Sequence, residues 1–225
     1  HYVKGMHNLL NAHFDLRNFQ LFETTLQRFE AFAKTPEANA HDNFRTHTSI
    51  YINSAKLNQH LMKGTFKEGL QLIPSVEEKL NNYGMYVDRH RILVLNYKFA
   101  SLYFGSGKYE DAIDYLQKII NGPLDLRIDL QCYARLLHLM SHYELGNRDL
   151  MEPLTKSVYR FMAKMKNLTV VEEEIFKFLK SSLGIKSGQL KTELEKLLQK
   201  IKHLEKSRHE TRAFAYLDII SWVEG

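Results

Sequence analysis

Apolar residues recur at helical spacing along nearly the whole chain, and alternating runs rich in β-branched residues are missing, so the pattern predicts an all-α protein. The helices it delimits lie near residues 4–14, 18–34, 36–63, 66–82, 88–105, 108–121, 125–145, 149–166, 170–184, 188–206 and 208–223, about eleven in all. Thr65 with Glu68, Thr169 with Glu172 and Ser207 with Glu210 fit the Ser/Thr-x-x-Glu capping box, and Thr35-Pro36 sets an N-cap ahead of a proline at the first helical position. Pro74 falls inside the fourth helix and should kink it, unless Ser75 with Glu78 restarts the helix; Pro153 lies in a first turn, where proline costs little. No connection is long enough for a flexible linker, so residues 1–225 read as one domain.

The clearest local unit is Asn96 to Ile120, NYKFASLYFGSGKYEDAIDYLQKII, where two amphipathic helices meet at Gly105-Ser106-Gly107. Ala112, Leu116 and Ile119 lie at i, i+4 and i+7, giving the second helix an inner face to lay on the first. A hairpin of this kind cannot bury both of its faces alone, which implies stacked neighbours. Gly64, Gly107 and Gly146 recur at intervals of 43 and 39 residues, each after a first helix, and LRNFQLFETTLQRF, with Phe19 after its turn, offers a fourth, more worn copy.

This hairpin resembles a tetratricopeptide repeat: Ala100 stands for the small residue of the first helix, Tyr103 for its aromatic, Gly107 for the turn glycine, and Tyr109 and Ala112 for the aromatic and alanine of the second helix. The likeness is strongest over residues 45–166, with 167–225 as C-terminal helices that cap the array. Gly69 and Met151 depart from the pattern, and the spacing exceeds the family's 34 residues. The resemblance implies a right-handed superhelix (solenoid) of antiparallel hairpins, whose first helices line a concave groove for a peptide or protein partner. Carried onto this chain, that groove comprises Tyr51, Ser54 and Asn58, then Tyr97, Ser101 and Phe104, then Tyr133, Met140 and Tyr143. It is aromatic rather than charged, which suits an apolar or mixed peptide. Asn58 falls where a carboxylate clamp uses asparagine, but the clamp's lysines are not found. Core packing between hairpins is the competing reading of the same stripe. The closing AYLDIISWVEG resembles the ends of uncharacterised bacterial helical-repeat proteins, which implies a bacterial, cytoplasmic protein.

Composition narrows the chemistry. The single cysteine, Cys132, leaves no internal disulfide and no multi-cysteine zinc site, which fits a reducing compartment. No apolar run approaches the roughly 18–20 residues of a membrane span. Of the net charge of +5, residues 151–225 supply +4, from 14 Lys+Arg against 10 Asp+Glu. Lys156, Arg160 and Lys164 form an i, i+4, i+8 stripe suited to phosphates or an acidic peptide, although no interleaved aromatics favour base stacking and nucleic acid is the less favoured partner.

His138 and His142 share a helix face, but Leu139 stands where a metalloprotease has glutamate and no third ligand is in register, so both read as packing residues and no metal is expected. Glu172, Glu173 and Glu174 open a helix, where acids meet the positive end of the dipole. With no phosphate-binding loop and no nucleophile elbow, neither catalytic residues nor cofactors are expected. Leu190, Leu194, Leu197, Ile201 and Leu204 follow a 4-3-4-3 pattern, read as a helix packed on the end of the array or as a self-association surface. The leading expectation is a non-enzymatic protein- or peptide-binding scaffold. The alternative is a regulatory domain of a longer signalling or transcription protein, whose basic C-terminal third meets nucleic acid or an acidic partner.

Overall fold

The computed structural model describes residues 1–83, 87–124, 127–184, 187–205, 207 and 210–224. Fourteen helices and no strand occur among the described residues. The chain groups into two compact units, His1–Lys108 and Tyr109–Gly225, and the division falls in the turn of the Asn96–Ile120 hairpin.

The first unit holds α1 (Tyr2–Asp15), α2 (Phe19–Ala33), α3 (Pro36–Asn39), α4 (Asp42–Lys63), α5 (Phe66–Leu70), α6 (Ile73–Tyr83) and α7 (Arg89–Gly105). Two expected helices are each divided. The 36–63 segment breaks at Ala40–His41, and 66–82 breaks at Gln71–Leu72, which leaves Pro74 in the first turn of α6, where its missing N–H costs nothing. Helices α1, α2 and α4 enclose a core of Val3, Met6, Leu10, Phe22, Leu26, Phe29, Tyr51, Ile52 and Ala55. Helix α7 packs on α4 and α5.

Two glycines set that second packing. A Cβ on Gly69 would lie 2.8 Å from Leu102 and 2.9 Å from His60, and one on Gly105 would lie 2.5 Å from the Phe66 ring. A side chain of α7 thus occupies the space that an alanine at position 69 would need.

The second unit holds α8 (Tyr109–Ile120), α9 (Ile128–Glu144), α10 (Arg148–Lys164), α11 (Val170–Ser182), α12 (Ser187–Leu204), α13 (Thr211–Tyr216) and α14 (Ile219–Glu224). The expected starts of α9 at 125 and of the last helix at 208 lie outside the described residues, as does the end of the twelfth at 206; the last helix divides at Leu217–Asp218. Helix α9 packs against both α8 and α10, and α12 against α11 and α14. Leu197 and Ile201 of the 4-3-4-3 pattern are buried by those contacts, the packed reading of that stripe.

One turn geometry recurs through both units. Arg17, Gly64, Gly107, Gly146 and Lys166 have positive φ, from 52° to 75°. The next residue in each case donates its N–H five positions back: Asn18 to His13, Thr65 to His60, Lys108 to Tyr103, Asn147 to His142 and Asn167 to Met162. These are Schellman closures, which satisfy carbonyls otherwise left bare at a helix end. The Arg17 turn within LRNFQLFETTLQRF has the same geometry as the glycine turns.

Of the three expected capping boxes, Thr169–Glu172 forms, and positions 208 and 209 of the Ser207–Glu210 box lie outside the described residues. Thr65 makes no cap, because its hydroxyl lies 2.8 Å from His60 Nδ1 instead. Glu210 is drawn away to α11: its carboxylate accepts from Thr169 Oγ1 (2.6 Å) and from the backbone N–H groups of Val170 (3.3 Å) and Val171 (3.1 Å). A residue about forty positions downstream thus completes the start of α11.

Candidate functional site

The nine expected groove residues do not form an open stripe. Tyr51, Ser54, Asn58, Tyr97, Tyr133 and Met140 are buried, whereas Ser101, Phe104 and Tyr143 are half-buried. In the second unit the C-terminal helices account for this. The Tyr133 ring stacks on Tyr216 at 4.5 Å and its hydroxyl donates to Glu172 (2.6 Å), while Tyr143 meets Phe178 and Trp222 edge to face. Those aromatic faces have partners within the chain.

His138 and His142 also stay within the fold. Their rings meet edge to face at 4.6 Å, and His142 Nδ1 lies 2.9 Å from Asn147 Nδ2, the same i to i+5 pairing as His60 with Thr65. Burial is the main cause that lowers the His138 pKa to about 4, with His142 and Arg135 adding to it. No group of three potential metal ligands occurs among the described residues.

The α4 stripe of the first unit has different surroundings. His47, Tyr51, Ser54 and Asn58 fall at spacings of 4, 3 and 4 and so share one side of the helix. From α1, His7 stacks on the Tyr51 ring at 4.1 Å and 10°. From α7, the Arg91 guanidinium lies over the same ring, 4.6 Å from its centre, and Lys98 Nζ donates to Ser54 Oγ at 2.6 Å and to the Ser54 carbonyl at 3.4 Å. Exposure rises from Asn58 (1%) through Ser54 (6%) and Lys98 (8%) to half-buried His7, His47 and Arg91. A buried amide and hydroxyl lie beneath a lysine and a basic rim.

The electrostatics follow from that layering. Burial lowers the Lys98 pKa to about 7, with the exposed Asp15 pulling weakly the other way. Burial, then Lys98 and Arg91, lower His7 to about 4; burial and Arg91 lower His47. Among the described residues Lys98 and Arg91 have no carboxylate within ion-pair distance. On the other flank of α4, Lys56 and Lys63 pair with Glu30 and Glu23 of α2. Asn58 Oδ1 is buried without a hydrogen-bond partner.

His7, Arg91 and Lys98 escaped sequence reasoning, and a lysine bonded to Ser54 was not expected. The available signal was Lys98 itself, a single charge inside the long apolar run 92–104.

The stripe of Lys156, Arg160 and Lys164 lies exposed on α10, beside an open depression of about 520 Å³ lined by Glu152, Pro153, Lys156, Ser157 and Arg160. Lys156 is held by Glu152 at 2.5 Å. No helix among the described residues is long and apolar enough to cross a membrane. Comparison with protein-family models, curated proteins and solved structures gives no match.

Proposed function

We propose that this chain is a non-enzymatic scaffold, a right-handed superhelix of tetratricopeptide-like hairpins that binds a partner protein or peptide. The repeated Schellman turns at Arg17, Gly64, Gly107 and Gly146 support the repeat reading. The binding face we assign is the α1–α4–α7 side of the first unit, and its partner presents an anionic group there. One observation carries this reading: Lys98 is a buried cation whose ammonium, among the described residues, meets a hydroxyl and a carbonyl and no carboxylate. A buried unpaired charge is costly, and such groups concentrate where a ligand completes them.

Peptide-display selection on the whole chain, repeated on Lys98→Met and Arg91→Gln, tests the assignment. Selected peptides should share an acidic or phosphorylated residue and lose affinity for both variants. Binders indifferent to both substitutions would refute this face as the site.

A second reading places an acidic partner or nucleic acid on the α10 stripe, favoured by the depression beside Lys156 and Arg160. Its binding would weaken steeply with salt, and loss of binding in Arg160→Gln with Lys98→Met intact would select it.

A further inference from the structure

We infer that the cluster of His7, Tyr51, Ser54, Asn58, Arg91 and Lys98 is a site for a phosphate-type oxyanion, one that carries both acceptor oxygens and a P–OH. This rests on the anionic-partner reading above and names the group that the face receives.

The donors come from three helices, α1, α4 and α7. Lys98 Nζ uses protons on the Ser54 hydroxyl and carbonyl and keeps one in hand. Because Ser54 Oγ accepts from the lysine, its own O–H is available to donate. Arg91 and His7 meet at the Tyr51 ring, three residues before Ser54 on α4. When Asn11 Nδ2 donates to His7 Nε2 (3.1 Å), the neutral ring carries its proton on Nδ1, a further donor. These groups suit an anion with several oxygens.

Asn58 decides between anion classes. Its buried Oδ1 lies one helical turn beyond Ser54 on the same side of α4 and has no donor. A carboxylate brings only acceptors and leaves that oxygen unsatisfied, whereas a hydrogen phosphate can donate its P–OH to it. The phosphate serves either orientation of the amide, since it also presents acceptors to the NH₂. The charge environment favours an anion: Arg91 and Lys98 are the cations gathered here, the neutral His7 ring adds a donor, and the acid acting on Lys98, Asp15, is exposed.

The test is NMR titration of the whole chain with inorganic phosphate, and with acetate, at ionic strength held constant by chloride. Phosphate should give saturable shifts of the His7 ring signals with Kd at or below about 1 mM. The His7 midpoint should rise by about one pH unit as bound anion offsets its cationic neighbours. Acetate should bind about tenfold more weakly, and Lys98→Met should weaken phosphate by about tenfold or more.

Arg91→Gln, at the half-buried rim, supplies an independent variant and should lose affinity as well. Circular dichroism shows that each variant is folded. At about pH 5, below the second ionisation of the monoester, phosphoserine keeps its P–OH; a phosphoserine peptide tighter than inorganic phosphate there identifies a peptide-borne group, and equal affinity identifies the free ion, both of which support the site. No saturable response by ~20 mM phosphate, equal affinity for acetate, or a response unchanged in both variants would overturn it. If phosphate fails while selected acidic peptides still depend on Lys98, the oxyanion inference falls and the partner-binding reading stands.

Discussion

Replacing Lys98 with methionine should stabilise the protein, although it removes a hydrogen bond. The side chain is 8% exposed, and its pKa falls from 10.5 to about 7, mainly through burial. That shift corresponds to about 5 kcal/mol across the full titration, of which about 4 kcal/mol is felt at neutral pH. The sign is fixed by proton uptake: the unfolded chain binds more protons between pH 7 and 10.5, so stability rises with pH through that window.

Methionine is similar in length and carries no charge. Losing the donor to Ser54 costs about 1 kcal/mol, which leaves a net gain of about 2–4 kcal/mol. For a chain of this size the gain is on the order of 5–10 °C in Tm. Urea denaturation followed by far-UV circular dichroism, at steps from pH 6 to 10, should show the variant's advantage shrinking as pH rises. Subtracting the two curves removes the alkaline titration of all other groups. A destabilised Lys98→Met, or an advantage constant from pH 7 to 10, would refute the buried-charge account.

His7 acts at acid pH: with its pKa lowered to about 4, the stability present above pH 6.5 should decline by about 2–3 kcal/mol as pH falls to 4. His7→Phe should flatten that limb in acid titrations, and an unchanged limb would clear His7 of the effect. Glu210→Ala should cost about 2–3 kcal/mol by stripping the acceptor from the Val170 and Val171 N–H groups at the start of α11. Hydrogen exchange should quicken at Val170 and Val171, and unaltered protection there would count against the cap. Gly105→Ala should cost more than Gly107→Ala, because its Cβ meets the Phe66 ring whereas Gly107 faces open space. The expected losses are about 2–3 and about 1 kcal/mol, and thermal melts in the reverse order would contradict the packing argument.

The helices were legible because their apolar spacing is a local signal, and the turn glycines because positive φ is a backbone demand that glycine meets. Arg17 and Lys166 make the same turn without glycine, so composition did not mark them. The capping box at Thr65 misled because motif matching sees neighbours in sequence, whereas His60 competes in space, as the α11 N-terminus does for Glu210. The aromatic stripe was placed on correct helices, but periodicity cannot say what covers a face. Tyr216, Phe178 and Trp222 cover the α9 portion, each far from it along the chain. The basic cluster was missed for the same reason: His7, Tyr51, Ser54 and Lys98 come from three helices that meet only after folding.

The distant cap on α11 bears on how the second unit is made. A ribosome releases Thr169 and the first turn of α11 about forty residues before it releases Glu210. Until then the Val170 and Val171 N–H groups rely on solvent, while Glu172 accepts from the Thr169 N–H, and that helix end frays readily. Helix α11 therefore sets late in synthesis, and a stall or truncation between Thr169 and Glu210 leaves its apolar face, with Ile175 and Leu179, available to chaperones.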